Sequence, residues 1–388
     1  MKRQISFCVS FLLCLTFWAC LPTRNNPPEP PKPPVCPDST NPECPEYPGN
    51  ICFPHPADST IYDIIDVPDI FGDFDTYFRK QGYLHYSGIH GLPDWKRQAA
   101  IDILPAWEIT KGAGIKIAVF DENIQSKHED LANILTWNVL DASVSCDPID
   151  PSASSHGTAV SGLIIARENG IGIIGVAPES DFLFIGDSTE KFRDSDVLKA
   201  FEYAKNWGAR VISCSWGSYN ASQFFENLVK DFYNQGITIV FACGNEGINL
   251  DDNRRRDESE LPWVIGVSSS NQQGVLANFS NYGNNIDIMA PGERIYTLSN
   301  DYYEFRRGTS FSAPIVAGVA ALMLSANPSL TPTQIRQIIF DTARKTPPES
   351  DRYTRRNGNC FSLYHAHGLI NAGRAVRKAA GLDDEVSE

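Results

Sequence analysis

Positive charge is scarce in this sequence. Against 47 Asp and Glu it carries 33 Lys and Arg, a formal net charge of −14. Binding nucleic acid needs a basic face, and this balance argues against one. Long apolar runs are scarce too. The N-terminal run at residues 5–18 has 14 residues, too few to span a bilayer comfortably. No repeat of solenoid period is visible. Cys36, Cys44 and Cys52 are spaced by eight and lack the CxxC spacing of common zinc sites. What is present is bulk. The 388 residues, 42% of them hydrophobic, leave room for one core of roughly 250–300 residues and an N-terminal extension.

That extension reads as targeting and tether. Lys2 and Arg3 precede the apolar run, which ends at Trp18-Ala19-Cys20. This loosely resembles a bacterial lipoprotein box, with Phe17 where Leu is usual. Residues 1–19 are expected as a signal peptide and Cys20 as the lipidated first residue of the exported chain. The alternative is an ordinary signal peptide cut nearby. Either way the chain is expected outside the cytoplasm, anchored in a bacterial envelope (outer membrane or periplasm) or secreted. Residues 20–60 hold the pairs Pro27-Pro28, Pro30-Pro31 and Pro33-Pro34, a semi-rigid polyproline spacer. Residues 61–94 are rich in aromatics and Asp, and are expected as a prosegment or an N-terminal arm. Beyond Cys20 stand Cys36, Cys44, Cys52, Cys146, Cys214, Cys243 and Cys360. Their number is odd, so at least one thiol stays out of any pairing within the chain.

From residue 101 the pattern alternates. Strands are expected at 115–120, 181–185, 211–214, 237–242 and 263–267, and helices at 156–166, 195–207 and 224–234. Such alternation predicts an α/β fold of three layers, a mostly parallel twisted sheet with helices on both faces. Its site is expected at the carboxyl ends of the strands.

Four motifs fall at those ends. Asp121 follows the first strand directly and is placed to orient an imidazole, although an Asp there is more often a turn or cap residue. His156 opens Ser155-His156-Gly157-Thr158-Ala159. A positive helix end disfavours its charged form, which suits a general base. Asn245, in Cys243-Gly244-Asn245-Glu246-Gly247, follows another strand and is a turn residue or an amide donor. Ser310 stands at the mouth of a run of small apolar residues, Phe311-Ser312-Ala313-Pro314-Ile315-Val316-Ala317-Gly318. It is an N-cap, or a nucleophile whose own N–H faces outward at a helix start. Pro314 is expected in the first turn.

Together these segments resemble the subtilisin-like serine peptidases, in the order Asp, His, Asn, Ser and over about residues 95–382. Further matches are Gly175-Val176-Ala177-Pro178, Phe279-Ser280-Asn281-Tyr282-Gly283, Ala290-Pro291-Gly292 and Gly368-Leu369-Ile370-Asn371-Ala372. The resemblance implies a serine endopeptidase that hydrolyses proteins or peptides through an acyl-enzyme. In it Ser310 is the nucleophile, His156 the base, Asp121 the orienter and Asn245 the oxyanion donor, and Ser215-Trp216-Gly217 pairs with the substrate backbone. No cofactor is needed for the chemistry. A structural calcium is implied near Arg167-Glu168-Asn169-Gly170-Ile171-Gly172 or the acids Asp251, Asp252, Asp257 and Glu258, with no ligand set assigned. Two departures stand out. Asp121-Glu122-Asn123 replaces the family's usual Asp-Thr-Gly or Asp-Asp-Gly, and Ala159 replaces a second His. The residues after Gly217, Ser218-Tyr219-Asn220, carry no acid, so specificity for paired basic residues lacks its carboxylates. The contrasting reading is a surface protein that keeps this fold for binding alone.

Overall fold

A computed structural model describes residues 75–85, 99–131, 134–145, 155–187, 193–252, 256–346 and 353–382. All belong to one compact unit, Pro45–Glu388. The expected signal peptide, Cys20, the tether and the rest of 61–94 lie outside the described residues.

In chain order the elements are α1 (Leu104–Trp107), β1 (Lys116–Asp121), β2 (Leu135–Asn138), β3 (Val144–Ser145), α2 (His156–Ile165), β4 (Asp181–Gly186) and α3 (Asp194–Trp207). Then come β5 (Val211–Cys214), α4 (Gln223–Asn234), β6 (Thr238–Ala242), β7 (Ile265–Ser270), β8 (Ile288–Pro291), β9 (Ile295–Leu298) and β10 (Tyr303–Arg306). The last are α5 (Thr309–Ala326), α6 (Pro332–Thr342), β11 (Thr354–Arg356), β12 (Asn359–Phe361) and α7 (Ala372–Ala379). Eight strands form one sheet in the order β3-β2-β4-β1-β5-β6-β7-β8. Every neighbouring pair is parallel except β2 with β3.

Side-chain alternation along the central strands builds the three layers. Ile117 and Val119 of β1, with Phe182 and Phe184 of β4, pack against Leu163 of α2, Ile315 and Val319 of α5, and Val376 of α7. Ala118 and Phe120, with Leu183 and Ile185, face the other way onto Phe201 of α3 and Phe225 and Val229 of α4. A strand buried on both faces needs no polar side, which is why these strands read as continuous apolar runs.

The two halves of the sequence are stitched together beneath this sheet. The Ala372 N–H donates to the Ile101 carbonyl at 2.7 Å, and Arg344 pairs with Asp102 at 2.6 Å. Residues 75–85 pack into the same core: Phe78 and Leu84 are buried, and Gln81 bonds both the N–H and the C=O of Ile174, at 2.9 and 2.8 Å. Cys360 is disulfide-bonded, whereas Cys214 and Cys243 are buried free thiols.

Candidate active site

Asp121 ends β1 opposite Gly186 of β4, with its carboxylate almost fully buried. Its Oδ1 accepts the Glu122 N–H at 2.9 Å and the His156 Nδ1–H at 2.8 Å. His156 is the first residue of α2, and its side chain is 25% exposed. Gly157 behind it has no room for a side chain: a Cβ there would stand 2.2 Å from the Asn123 carbonyl. That close approach lets α2 carry His156 up to the end of β1. Burial works against the charged ring, but the Asp121 carboxylate and its hydrogen bond outweigh burial, so the imidazole holds its proton more firmly than an ordinary His. The helix dipole expected from the sequence is therefore overridden by a full charge in direct contact.

Ser310 is the second residue of α5. Its Oγ donates to the Ser215 carbonyl at 3.2 Å, and the Ser215 Oγ donates back to the Ser310 carbonyl at 2.8 Å. The second bond has a cause in the sequence. Pro314 lies in the second turn, not the first, and has no N–H to give the carbonyl four residues earlier. Ser215 supplies that missing donor. The aromatic ring of Phe311 lies 5.8 Å from that of His156, which brings the ends of α2 and α5 to one place.

Asn245 follows β6 and is fixed by Thr309. Its Oδ1 accepts the Thr309 N–H at 2.8 Å and the Thr309 hydroxyl at 3.1 Å, while that hydroxyl accepts the Gly244 N–H at 3.1 Å. Two donors on one side of the amide settle which atom is oxygen, and leave the NH2 facing away from them. Gly308, with φ +142°, is the bend that admits this arrangement. Thr309 was not singled out in the sequence. Its only signal was its place between Gly308 and Ser310.

The structure leaves the backbone of Ser215, Trp216 and Gly217 beyond the end of β5. Trp216 is anchored by its indole N–H on the Phe120 carbonyl at 3.1 Å and by edge contacts with Phe120 and Phe241. The expectation that no acid lies beside Gly217 is wrong. Asp257 and Glu258, forty residues further on, approach it, and Glu258 accepts the Ser218 N–H at 2.8 Å. Asp257 also forms a capping box with Glu260, and in the sequence it stood only among the acids considered for calcium.

Asp130 and Asp75 meet the loop 167–174. Asp130 Oδ2 accepts the Ile173 N–H at 2.8 Å, and Asp75 Oδ1 accepts the N–H groups of Asn169 and Gly170 at 3.0 and 2.6 Å. The second oxygen of each is buried without a hydrogen bond. Burial pushes the Asp130 carboxyl up to about 7. Among the described residues no group of three or more His, Cys, Asp or Glu is placed to hold a metal, so a cation here would depend on these two carboxylates and backbone carbonyls.

The sheet order and the three layers define a subtilisin-like serine peptidase architecture, and comparison with known proteins agrees. The model of the subtilase family matches residues 112–360. Subtilisin NAT of Bacillus subtilis subsp. natto is 35% identical over 272 residues, 69% of this chain and 66% of that protein. Thermitase of Thermoactinomyces vulgaris is 34% identical over 278 residues, 70% of this chain and 92% of that protein. A solved protease of Pseudoalteromonas arctica superposes with a TM-score of 0.64 at 26% identity, over 79% of this chain and 99% of its own. The chain belongs to the subtilase family.

Proposed function

We propose that this chain is an exported serine endopeptidase that cleaves proteins through an acyl-enzyme. The observation that carries the reading is the 2.8 Å bond from His156 to the buried Asp121 carboxylate, at the end of the helix that meets Ser310. Ser310 Oγ attacks the scissile carbonyl as His156 takes its proton. Asp121 fixes the imidazole tautomer and stabilises the imidazolium. The Asn245 NH2 and the Ser310 N–H, in the first turn of α5, hold the oxyanion. His156 then protonates the leaving amine, and water releases the acyl group by the reverse steps. The backbone of Ser215-Trp216-Gly217 pairs with an extended peptide as an added strand.

Two further parts belong to the same proposal. Cys20 carries lipid and holds the enzyme to the envelope membrane through the proline-rich tether. A structural calcium sits against Asp130 and Asp75, whose unsatisfied oxygens suit a hard cation. It neutralises buried charge, and no step of hydrolysis runs through it.

A fluorophosphonate probe should label Ser310 and no other residue, read by mass spectrometry of the modified peptide. Ser310→Ala should lose casein hydrolysis to background. Unchanged hydrolysis by that variant would sink the catalytic reading and leave the binding-only alternative.

A further inference from the structure

Ser215-Trp216-Gly217 and Gly244-Asn245 leave the carboxyl ends of β5 and β6, which are parallel neighbours. Their pairing ends at Cys214 and Phe241, and past that point the two backbones stand as the walls of one cleft. Its mouth is Ser310, bonded to Ser215 on one side and joined through Thr309 to Asn245 on the other.

Each wall is glycine where a carboxylate stands behind it. A methyl group on Gly217 would lie 2.9 Å from Asp257 Oδ2 and 3.5 Å from Glu258 Oε2; one on Gly244 would meet the Tyr219 hydroxyl and the Asn281 amide first, with Glu246 Oε2 at 2.9 Å. The Tyr219 hydroxyl joins the two sides: it donates to Glu246, and the charges of Glu246 and Asp257 add to burial in holding its proton. The partners of these acids are neutral. Glu258 accepts from the Ser218 N–H and hydroxyl, and Glu246 accepts from the Asn281 amide at 2.8 Å and the Asn245 N–H at 2.9 Å. Asp257 is only 2% exposed, and its Oδ1 is occupied by the Ser259 N–H and hydroxyl. Its Oδ2 accepts no hydrogen bond and is the atom closest to a side chain built on Gly217. Among the described residues none of the three acids takes part in an ion pair.

A buried carboxylate with an open oxygen is costly until a cation reaches it. We propose that this cleft takes a lysine or arginine side chain of the substrate, on the residue whose carbonyl Ser310 attacks. Asp257 is its charge partner, with Glu246 and Glu258 flanking. With no side chain on Gly217, Asp257 is left uncovered on that wall, and the charged head of such a side chain arrives at it while its apolar stem lies along the cleft. The inference rests on the endopeptidase reading above.

The test is a set of fluorogenic peptides that differ only in the residue before the scissile bond: Arg, Lys, Phe, Leu or Glu. Arg and Lys should exceed Phe in kcat/KM by about tenfold or more, and Asp257→Asn should cut that ratio by about tenfold, mostly through KM. A merely structural role for Asp257 would lower all five rates together and leave the ratio where it was. Because Asp257 also caps a turn, Glu258→Gln gives a second reading of the ratio. Protection of Ser310 from fluorophosphonate by an arginine-ended peptide aldehyde, against a phenylalanine-ended one, gives a third in the unaltered protein. A preference for Phe or Leu, with Ser310 still labelled, overturns the cleft assignment alone. Failure to label Ser310, with no peptide cleaved, overturns the peptidase reading as well.

Discussion

His156 stands between opposing influences, and their balance sets a measurable midpoint. Because Asp121 raises its proton affinity, the rate should rise with pH through a midpoint above the ordinary imidazole value of 6.5. The sign follows from the role proposed for it: only the neutral ring can accept the Ser310 proton, and a carboxylate neighbour delays neutrality to higher pH. Asp121→Asn should move the midpoint of kcat/KM on a neutral ester downward and lower kcat by about 10⁴-fold. A midpoint that does not move would mean that Asp121 has no hold on the ring. Asp130 offers a test of a different kind. Calcium should raise the melting temperature of Ser310→Ala by several degrees, and this gain should vanish in Ser310→Ala/Asp130→Asn. A gain that survives the second substitution would place the cation elsewhere. At this scale the sequence was legible where a residue's place depends on its immediate neighbours, as for Ser310 at a helix mouth. It was not legible where the role is a long-range bond, as for Thr309 holding Asn245, or Ser215 replacing the donor that Pro314 lacks.

Among the elements, legibility followed hydrophobic pattern. The segment expected at 115–120 is β1, and that at 195–207 is α3, each within one residue. The strand expected at 263–267 begins later and runs on to Ser270 as β7. Its second half hides because Ser268, Ser269 and Ser270 are buried polar residues. Ser269 is satisfied by the Ser280 hydroxyl at 2.9 Å and the Ser312 hydroxyl at 2.8 Å. The hairpin β9–β10 and the short strands β2 and β3 are too brief to show a period. The arm at residues 75–85 gave no pattern because its order comes from loops remote in sequence, through Gln81 on Ile174 and the Tyr83 hydroxyl on the Tyr296 carbonyl at 3.0 Å. Its packing gives a prediction. Phe78 is 1% exposed, so Phe78→Ala in the Ser310→Ala background should cost about 3–5 kcal/mol by urea denaturation. A loss under about 0.5 kcal/mol, as at surface positions, would mean that this arm is not part of the core.

For the whole molecule the important fact is that one sheet serves two cores. Ala118 and Val119 are adjacent in β1 yet belong to opposite layers, so neither core can lose its packing without uncovering strands of the other. Tryptophan fluorescence follows mainly one layer, because Trp137 is in the α3–α4 core and Trp207, Trp216 and Trp263 pack against it. Far-UV circular dichroism follows both. The two urea transitions of Ser310→Ala should therefore coincide, and separate midpoints would show that the layers unfold independently.

The bond from Ala372 to Ile101, and that of Arg344 to Asp102, carry a consequence in time. A ribosome makes residue 101 long before residue 372, and during that interval the Ile101 carbonyl and Asp102 lack these two partners. The layer that supports Ser310 therefore comes together only when synthesis is almost complete. Until then that core lacks Ala372, Ala375, Val376 and Ala379.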